Sequence, residues 1–285
     1  MIYQEINIDL DYSKVPAPKT EHQPRLKVFV PNMEPEVSKY TPARTTVLIL
    51  PGGAYRMTSE REAEPIAMHF LAHGMNAAIL YYSCAPAVFP VAMLEALSAI
   101  KYLRENVESW NGVKDKIYVC GFSAGGHLCA SVGTLWNGRE SKAYFGDTEA
   151  VRPNGLILAY PVIISDFDGN KMRHKGSFDN LLGDRKDDKE MLEYLCLDRR
   201  VSRDTPPTFI WSSFEDSGVP CDSTLRFATA LKNNGIPFEM HIYEKGTHGK
   251  ATGDLVTNSS VLRLRHWLDE ACEWALDERS EYIDV

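Results

Sequence analysis

The stretch that decides the fold is residues 116–127, which read Lys-Ile-Tyr-Val-Cys-Gly-Phe-Ser-Ala-Gly-Gly-His. Its apolar part, residues 117–120, predicts a buried strand, and residues 126–136 predict a helix. Between them, residues 121–125 match the Gly-x-Ser-x-Gly pattern of a nucleophile elbow. The pattern predicts a sharp strand-to-helix turn that holds Ser123 in a strained conformation and presents its hydroxyl as a nucleophile.

The residue types around Ser123 follow from the geometry of such a turn. Side chains at positions 121 and 125 would collide with the neighbouring strand and helix, which explains the two glycines. The backbone N–H of Ala124 lies at the predicted helix N-terminus, where partial positive charge collects, so it is a candidate donor to an oxyanion. Because the pattern also arises by chance, the prediction depends on an oxyanion loop upstream and on an acid and a histidine downstream.

Length and composition favour one large α/β domain over residues 1–285, because 44% of the residues are apolar. The net charge of −8, without any cluster of Lys and Arg, argues against nucleic acid and against an anionic membrane as partners. No apolar run has the length of a membrane span. The N-terminus lacks the basic and apolar regions of a signal peptide, so we expect a cytoplasmic protein.

The six cysteines occupy none of the spacings that are typical of metal ligands, and no pair forms a C-x-x-C motif. Several lie in apolar surroundings, which indicates free, buried thiols in a reducing compartment. We therefore expect neither disulfides nor a metal site.

The chain alternates between strand-like and helix-like segments. Apolar runs and period-two alternation predict eight strands, at residues 2–9, 26–30, 46–50, 76–82, 117–120, 154–163, 207–213 and 237–243. Helical spacing of apolar residues predicts helices at residues 59–74, 89–105, 126–136, 189–197, 224–232 and 261–276. This alternation predicts an α/β fold with a mostly parallel, doubly wound eight-stranded sheet, helices on both faces and an antiparallel edge at the N-terminus.

Residues 165–204 interrupt this alternation between the sixth and seventh strands, with a charged and polar composition. They fit either a surface excursion or a small cap over the active site that shapes the substrate pocket. We favour the cap.

A glycine-rich loop follows the third predicted strand, with the sequence Pro51-Gly-Gly-Ala-Tyr55. Hydrolases with a nucleophile elbow place a second oxyanion loop at this position, because glycines let backbone N–H groups approach a substrate oxygen. Gly53 and Ala54 are the candidate donors. A simple strand-to-helix turn would also favour two glycines, and the position before an elbow decides for the oxyanion loop.

An acid and a histidine follow the last two predicted strands in the required order. Asp216 comes after the seventh strand and His248 after the eighth, and both sites lie at the carboxyl edge of the sheet with Ser123. His248 would take the proton of Ser123 and return it to the leaving group. Asp216 would hold the imidazole tautomer and stabilise the imidazolium.

Other residues of the same types compete for these roles. Glu215 and Asp222 are alternatives to Asp216 as the acid. We expect structural roles for His127, which lies inside the predicted elbow helix, and for His241, which lies within a strand.

With these residues in place, the chain resembles the bacterial α/β-hydrolase esterase/lipase family, and within it the acetyl-xylan esterase-like carbohydrate esterases. The resemblance covers roughly residues 25–275 and rests on seven motifs, Pro51-Gly-Gly-Ala-Tyr55, Gly121-Phe-Ser-Ala-Gly-Gly-His-Leu128, Tyr160-Pro-Val162, His174-Lys-Gly-Ser-Phe-Asp-Asn-Leu-Leu-Gly183, Thr205-Pro-Pro-Thr208, Asp216-Ser-Gly-Val-Pro220 and Thr247-His-Gly249. It implies that Ser123, Asp216 and His248 form the catalytic triad and that no metal or cofactor is needed. Three side chains are further candidates for substrate contacts: Tyr55, Tyr160 and His174.

The chain departs from the family pattern at two places. The family usually has three glycines where this chain has Gly52, Gly53 and Ala54. The methyl group of Ala54 narrows the oxyanion loop, but the backbone N–H groups are kept. The family often has Tyr-Arg at the end of the fourth strand, where this chain has Tyr82-Ser83. The missing arginine would alter loop packing or substrate contacts.

The expected function is that of a serine carboxylesterase that removes short acyl groups, above all acetyl, from sugars or xylo-oligosaccharides. An amidase of the arylformamidase type would share the fold and the triad. A catalytically idle hydrolase fold that binds a small molecule is the alternative outside the enzymes. The expected partner is a small-molecule ester, and homo-oligomers are left open.

Overall fold

The computed structural model describes residues 1–31, 34, 36, 42–165, 173–257 and 263–277. Within these residues the strands form one sheet. Their bounds are β1 Ile2–Asn7, β2 Arg25–Val30, β3 Arg44–Leu50, β4 Asn76–Tyr81, β5 Gly112–Phe122, β6 Gly155–Ala159, β7 Thr208–Ser213 and β8 Phe238–Tyr243. The eight predicted strands are therefore present.

The strands follow the order β1-β2-β4-β3-β5-β6-β7-β8 across the sheet. β2 is antiparallel to both β1 and β4, and the other neighbouring pairs are parallel. This confirms a mostly parallel sheet with an antiparallel edge. The register aligns Leu50 with Gly121 and Phe122 with Ala159, so β3, β5 and β6 end side by side. The loops after these strands therefore meet at the carboxyl edge of the sheet, where open α/β sheets bind their ligands.

The α-helices of the described residues connect and cover these strands. Their bounds are α1 Glu64–Ala72, α2 Val91–Asn106, α3 Ser123–Leu135, α4 Arg139–Phe145, α5 Lys175–Leu182, α6 Lys189–Tyr194, α7 Asp222–Asn233 and α8 Trp267–Leu276. Short 3₁₀ turns lie at Glu60–Glu62, Val107–Trp110, Glu149–Val151, Gly183–Arg185, Leu197–Arg199 and Leu264–His266.

Each face of the sheet has its own hydrophobic core, because successive side chains of a strand point to opposite faces. Leu48 and Leu50 of β3 face the core that contains apolar side chains of α2, α3 and α7. Val47 and Ile49 face the core formed with α1 and α8. All residues of β3 are buried, as expected of a parallel strand that is covered on both sides. The doubly wound architecture is confirmed.

Several boundaries differ from the predictions. The sixth strand ends at Ala159 rather than at residue 163, because Tyr160 has a positive φ of 38° that leaves the extended conformation. The segment predicted as one helix at 59–74 is a 3₁₀ turn followed by α1, with Pro65 in the first turn of α1. Helices α4 and α5 were not predicted, since their polar sequences carry too few apolar residues at helical spacing. Residues 261 and 262, the start of the last predicted helix, lie outside the described residues.

All six cysteines are free thiols, four of them buried, with Cys84 and Cys221 half-buried. None of the helices in the described part of the chain has both the length and the apolar composition that crossing a bilayer requires.

Candidate active site

Ser123 occupies the turn between β5 and α3 with a φ of 53°, in the left-handed region that non-glycine residues rarely adopt. The predicted reason for the flanking glycines is confirmed. A Cβ at Gly121 would lie 2.2 Å from the carbonyl oxygen of Gly125, and a Cβ at Gly125 would lie 2.1 Å from the carbonyl oxygen of Leu50. The close packing of turn, strand and helix thus holds the backbone of Ser123 in its strained conformation.

The structure brings the three predicted triad residues together in one chain of hydrogen bonds. The Ser123 Oγ lies 2.7 Å from His248 Nε2, and His248 Nδ1 lies 2.7 Å from Asp216 Oδ2. Because a carboxylate only accepts, His248 Nδ1 carries the ring proton and Nε2 accepts from the serine hydroxyl. The second oxygen of Asp216 accepts the backbone N–H groups of Gly218 and Val219, each at 2.9 Å. These bonds fix the carboxylate and, through it, the imidazole.

The competing acids and histidines have other partners. Glu215 is exposed and pairs with Lys245 at 2.7 Å, and Asp222 is the first residue of α7. His241 pairs with Glu239 at 2.8 Å on β8. Of the candidate acids, Asp216 is the one that contacts His248 in the described residues.

His127 is buried and bonded through both ring nitrogens. Its Nε2–H donates to the backbone oxygen of Leu195 at 3.1 Å, and its Nδ1 accepts from the hydroxyl of Tyr55 at 2.9 Å. Burial lowers the pKa of His127 to about 4, so the ring is neutral near pH 7. These bonds suit the structural role expected of His127. They also occupy the hydroxyl of Tyr55, whose side chain is buried.

The predicted oxyanion loop lies directly against the elbow. A Cβ at Gly52 would lie 3.0 Å from Ser123 Cβ and 2.7 Å from the carbonyl oxygen of Phe122. Gly53, Ala54 and Tyr55 all have positive φ values. A Cβ at Gly53 would fall 2.1 Å from the carbonyl oxygen of Met57, so this turn requires glycine there. The loop is therefore near enough to Ser123 for the predicted donors, and the oxyanion role of Gly53, Ala54 and Ala124 stays a prediction.

A buried glutamate that the sequence pattern did not single out supports this loop. Glu62 accepts the backbone N–H of Gly52 at 2.8 Å with one oxygen and the hydroxyl of Tyr160 at 2.8 Å with the other. Burial raises the pKa of Glu62. The sequence held one signal for its burial. In the helix predicted at residues 59–74, Glu62 precedes Ile66 and Phe70 by four and eight residues and so falls on their apolar face.

Tyr160 connects Glu62 to the segment that follows His248. Its hydroxyl donates to Glu62 and accepts the backbone N–H of Ala251 at 2.9 Å. Its ring packs edge-on against the ring of His248, with centroids 5.2 Å apart. Since its hydroxyl is engaged and its side chain is buried, Tyr160 lies beneath the triad rather than open to a substrate hydrogen bond.

The insertion between β6 and β7 contacts both the triad and the oxyanion loop. The ring of His174 is stacked parallel to that of His248, with centroids 6.4 Å apart, and its Nδ1 lies 2.8 Å from Ser177 Oγ. Asn180, on α5, donates a hydrogen bond of 2.8 Å to the backbone oxygen of Ala54. The described part of the insertion therefore lies against both the oxyanion loop and the histidine. Residues 166–172 of the predicted cap lie outside the described residues.

Ser83, which stands where the family often has an arginine, has a hydrogen-bond partner of its own. Ser83 donates its backbone N–H to one oxygen of Glu95 at 2.7 Å and its hydroxyl to the other at 2.5 Å. Burial raises the pKa of Glu95 to about 7. A neutral hydroxyl and a backbone amide thus satisfy a buried carboxyl group on α2 without a cation.

The chain is similar to known proteins in both sequence and fold. The BD-FAE family model matches residues 33–231, which is more than half of the chain. A crystal structure of an acetyl ester-xyloside bifunctional hydrolase from Caldicellulosiruptor lactoaceticus is 29% identical with a TM-score of 0.79, over 95% of this chain and 94% of that one.

Two curated relatives are longer proteins. Endo-1,4-beta-xylanase B of Butyrivibrio fibrisolvens is 35% identical over 78% of this chain and 35% of its own length. An acetylxylan esterase of Xylanibacter ruminicola is 29% identical over 74% of this chain and 42% of its own length. The chain thus spans less than half of each of these relatives. From the family match and the shared fold, the chain belongs to the BD-FAE family, a family of α/β-hydrolase esterases.

Proposed function

We propose that this chain is a serine carboxylesterase that hydrolyses acetyl esters of sugars, in particular of xylo-oligosaccharides, through Ser123, His248 and Asp216. The single observation that carries the proposal is the continuous hydrogen-bond chain from the Ser123 hydroxyl through His248 to Asp216, with both links at 2.7 Å. A nucleophile, a base and a group that orients the base are the minimum set for acyl transfer to a serine.

The first half of the reaction acylates the enzyme. As Ser123 Oγ attacks the ester carbonyl, its proton passes to His248 Nε2 and the carbonyl oxygen becomes an oxyanion. We assign the stabilisation of that charge to the N–H groups of Ala124 and of Gly53 or Ala54, at about 3 kcal/mol for each donor. The tetrahedral intermediate then collapses, the carbon–oxygen bond to the sugar breaks, and the imidazolium returns its proton to the departing sugar hydroxyl.

The second half releases acetate. His248 takes a proton from a water molecule, whose oxygen attacks the acetyl-enzyme and forms a second oxyanion. Collapse of this intermediate breaks the bond to Ser123 Oγ, which recovers its proton from His248. Throughout, Asp216 keeps its charge and stabilises the imidazolium, since its two oxygens are held by His248 and two backbone amides.

Two observations support a small acyl group and a sugar alcohol. The ring of His174 lies 6.4 Å from that of His248, and α5 is tied to the oxyanion loop through Asn180, so the insertion packs beside the triad and favours a small acyl group. The names of the Butyrivibrio, Xylanibacter and Caldicellulosiruptor proteins refer to xylan or xylosides. These names support acetylated xylo-oligosaccharides as the substrate class.

The experiment that tests the proposal is a comparison of acetate release from acetylated xylo-oligosaccharides with the hydrolysis of aryl acetate, butyrate and octanoate esters. We expect the sugar ester and the aryl acetate to react, and the rate to fall with acyl length. Turnover of activated aryl esters alone would contradict the sugar assignment while leaving the triad in place. A higher kcat/KM on an aryl formamide than on all esters would show an amidase instead.

A further inference from the structure

A second cluster of chemically reactive side chains lies where the end of α1 meets α8. His69 and His73 stand four residues apart at the end of α1, and Asp269 and Cys272 stand three residues apart on α8. Residues with these spacings share one face of a helix. Because α1 and α8 cover the same face of the sheet, the two pairs meet although about 200 residues separate them in the chain.

The distances between these groups suit a common metal ion. One ring nitrogen of His69, one of His73 and the Sγ of Cys272 all lie within 4.8 Å of one another. Asp269 Oδ1 lies 2.9 Å from His69 Nε2 and 3.3 Å from His73 Nε2. Tetrahedral zinc with bonds of about 2.0–2.3 Å places its ligand atoms roughly 3.3–3.7 Å apart. Shifts of roughly an ångström would bring the three atoms of His69, His73 and Cys272 to this spacing. The Asp269 carboxylate, which contacts both imidazoles, would have to turn to become the fourth ligand.

The orientation of His73 is a second, independent observation. Its Nδ1 lies 3.0 Å from the backbone oxygen of His69, and because a carbonyl only accepts, Nδ1 carries the ring proton. The other nitrogen, Nε2, therefore faces Asp269 and the cluster. Metal-binding histidines are usually held in this way, with the second ring nitrogen donating to a backbone carbonyl or a carboxylate.

The burial of the cluster also suits an ion. Cys272 is fully buried, whereas the side chains of His69, His73 and Asp269 are 27%, 29% and 44% exposed. The thiol would thus form the inner wall of the site, and the open side would let an ion enter from solvent. An ion pair between histidines and aspartate needs no thiol beside it. The position of Cys272 therefore favours a metal site over a simple ion pair.

We propose that His69, His73, Asp269 and Cys272 bind one structural Zn²⁺ ion that ties α1 to α8. This donor set of two imidazoles, a carboxylate and a thiolate favours zinc, whereas magnesium and calcium favour oxygen ligands. Four protein ligands leave no open position, which is typical of structural rather than catalytic zinc. On binding, zinc forms a bond to Cys272 Sγ, and the thiol proton is released to solvent.

The test uses the full chain, freed of any histidine tag and stripped with a chelator. Zn²⁺ is titrated in competition with a chromophoric chelator, and Co²⁺ is added to a second sample so that coordination can be followed by absorption. We expect one Zn²⁺ per chain, a thiolate-to-cobalt charge-transfer band, and a melting temperature about 5 °C higher at a hundredfold excess of Zn²⁺ over its Kd.

Two variants remove ligands, and two matched variants serve as controls. Cys272→Ser should abolish the charge-transfer band, and His73→Gln, at a partly exposed position, should weaken zinc binding at least tenfold. Cys221→Ser changes a thiol outside the cluster, and His241→Gln changes a histidine that also pairs with carboxylates, on β8. Both controls should bind zinc like the parent. Absence of stoichiometric binding, or binding that neither ligand variant weakens, would overturn the proposal.

Discussion

The buried carboxyl group of Glu62 accepts the backbone N–H of Gly52 at 2.8 Å, one residue before the candidate oxyanion donors. Its second oxygen is bound by Tyr160, whose hydroxyl in turn accepts the N–H of Ala251. One hydrogen-bond network therefore joins the oxyanion loop to the segment after His248. The two halves of the site are positioned by the same buried group.

This network predicts a specific defect in Glu62→Gln. The amide keeps the shape but replaces one acceptor by a donor, so either Gly52 or Tyr160 loses its partner. We expect kcat on aryl acetate to fall roughly 10- to 100-fold with KM within about twofold, because the loop that carries the donors shifts relative to Ser123. The matched control is Glu64→Gln, which removes an exposed ion pair with Lys27 two residues further on. Equal losses in both variants, or an unchanged kcat in Glu62→Gln, would contradict the role of Glu62 as a positioning residue.

The assignment of the acid is tested by two neighbours in sequence. In Asp216→Asn the amide cannot accept from His248 and from both backbone amides, so the imidazole loses its orientation. We expect kcat to fall roughly 10³- to 10⁴-fold. Glu215→Gln removes the charge that pairs with Lys245 and keeps one oxygen as an acceptor for the Gly246 N–H, so activity should stay within about twofold. Steady-state kinetics of both variants measure these losses. A larger loss of kcat in Glu215→Gln than in Asp216→Asn would show that Glu215 is the acid.

The turn at Gly53 predicts that a single methyl group disrupts the oxyanion loop. In Gly53→Ala the new Cβ would lie 2.1 Å from the carbonyl oxygen of Met57 at a φ of 131°, so the loop has to move. We expect kcat/KM to fall at least roughly 100-fold. Gly74 also has a positive φ, 78°, but its Cβ would meet nothing within 4 Å. Gly74→Ala should lose about 1–2 kcal/mol of stability and no activity. If both variants are equally active, Gly53 does not belong to the site.

The buried carboxyl of Glu95 predicts a pH-dependent stability. Its pKa is about 7 in the folded chain and near 4.5 in the unfolded one. The folded state therefore holds the proton more tightly, and stability falls as the pH rises through this window, by about 3 kcal/mol in total. In Glu95→Gln the amide oxygen can accept the Ser83 N–H and the amide nitrogen can donate to the Ser83 hydroxyl, so both contacts persist without a charge.

We expect Glu95→Gln to be more stable than the parent by about 1–3 kcal/mol at about pH 8, with the gap closing towards about pH 4. Denaturant unfolding at several pH values measures it. Glu105→Gln, an exposed change on the same helix, is the control and should show no such trend. A gap that does not vary with pH would mean that Glu95 is not protonated on folding.

The parts of the fold that depend on local patterns could be predicted from the sequence. The elbow, the glycines at 121 and 125, and the positions of Asp216 and His248 each follow from a strand end and a short motif. The order of the strands could not be read in this way, because the insertion of β4 between β2 and β3 is a non-local pairing.

The supporting residues were missed for a physical reason. Glu62 stands in a charged stretch that looks solvent-exposed, and it is buried in a 3₁₀ turn, where its carboxyl group bonds Gly52 and Tyr160, both distant from it in sequence. His174 was a candidate for substrate contacts, but its proximity to His248 depends on how the insertion packs, which no sequence spacing indicates. The cluster of His69 and Cys272 joins segments that no sequence spacing relates.

If Ser123 is the nucleophile, its replacement by alanine must abolish turnover, and the decisive measurement is the kcat/KM of Ser123→Ala on an aryl acetate. The hydroxyl that attacks is removed while the fold is preserved, since alanine at this position adds no volume. We expect a loss of at least roughly 10⁴-fold, with an unchanged melting temperature. Activity within tenfold of the parent would show that another group attacks the ester.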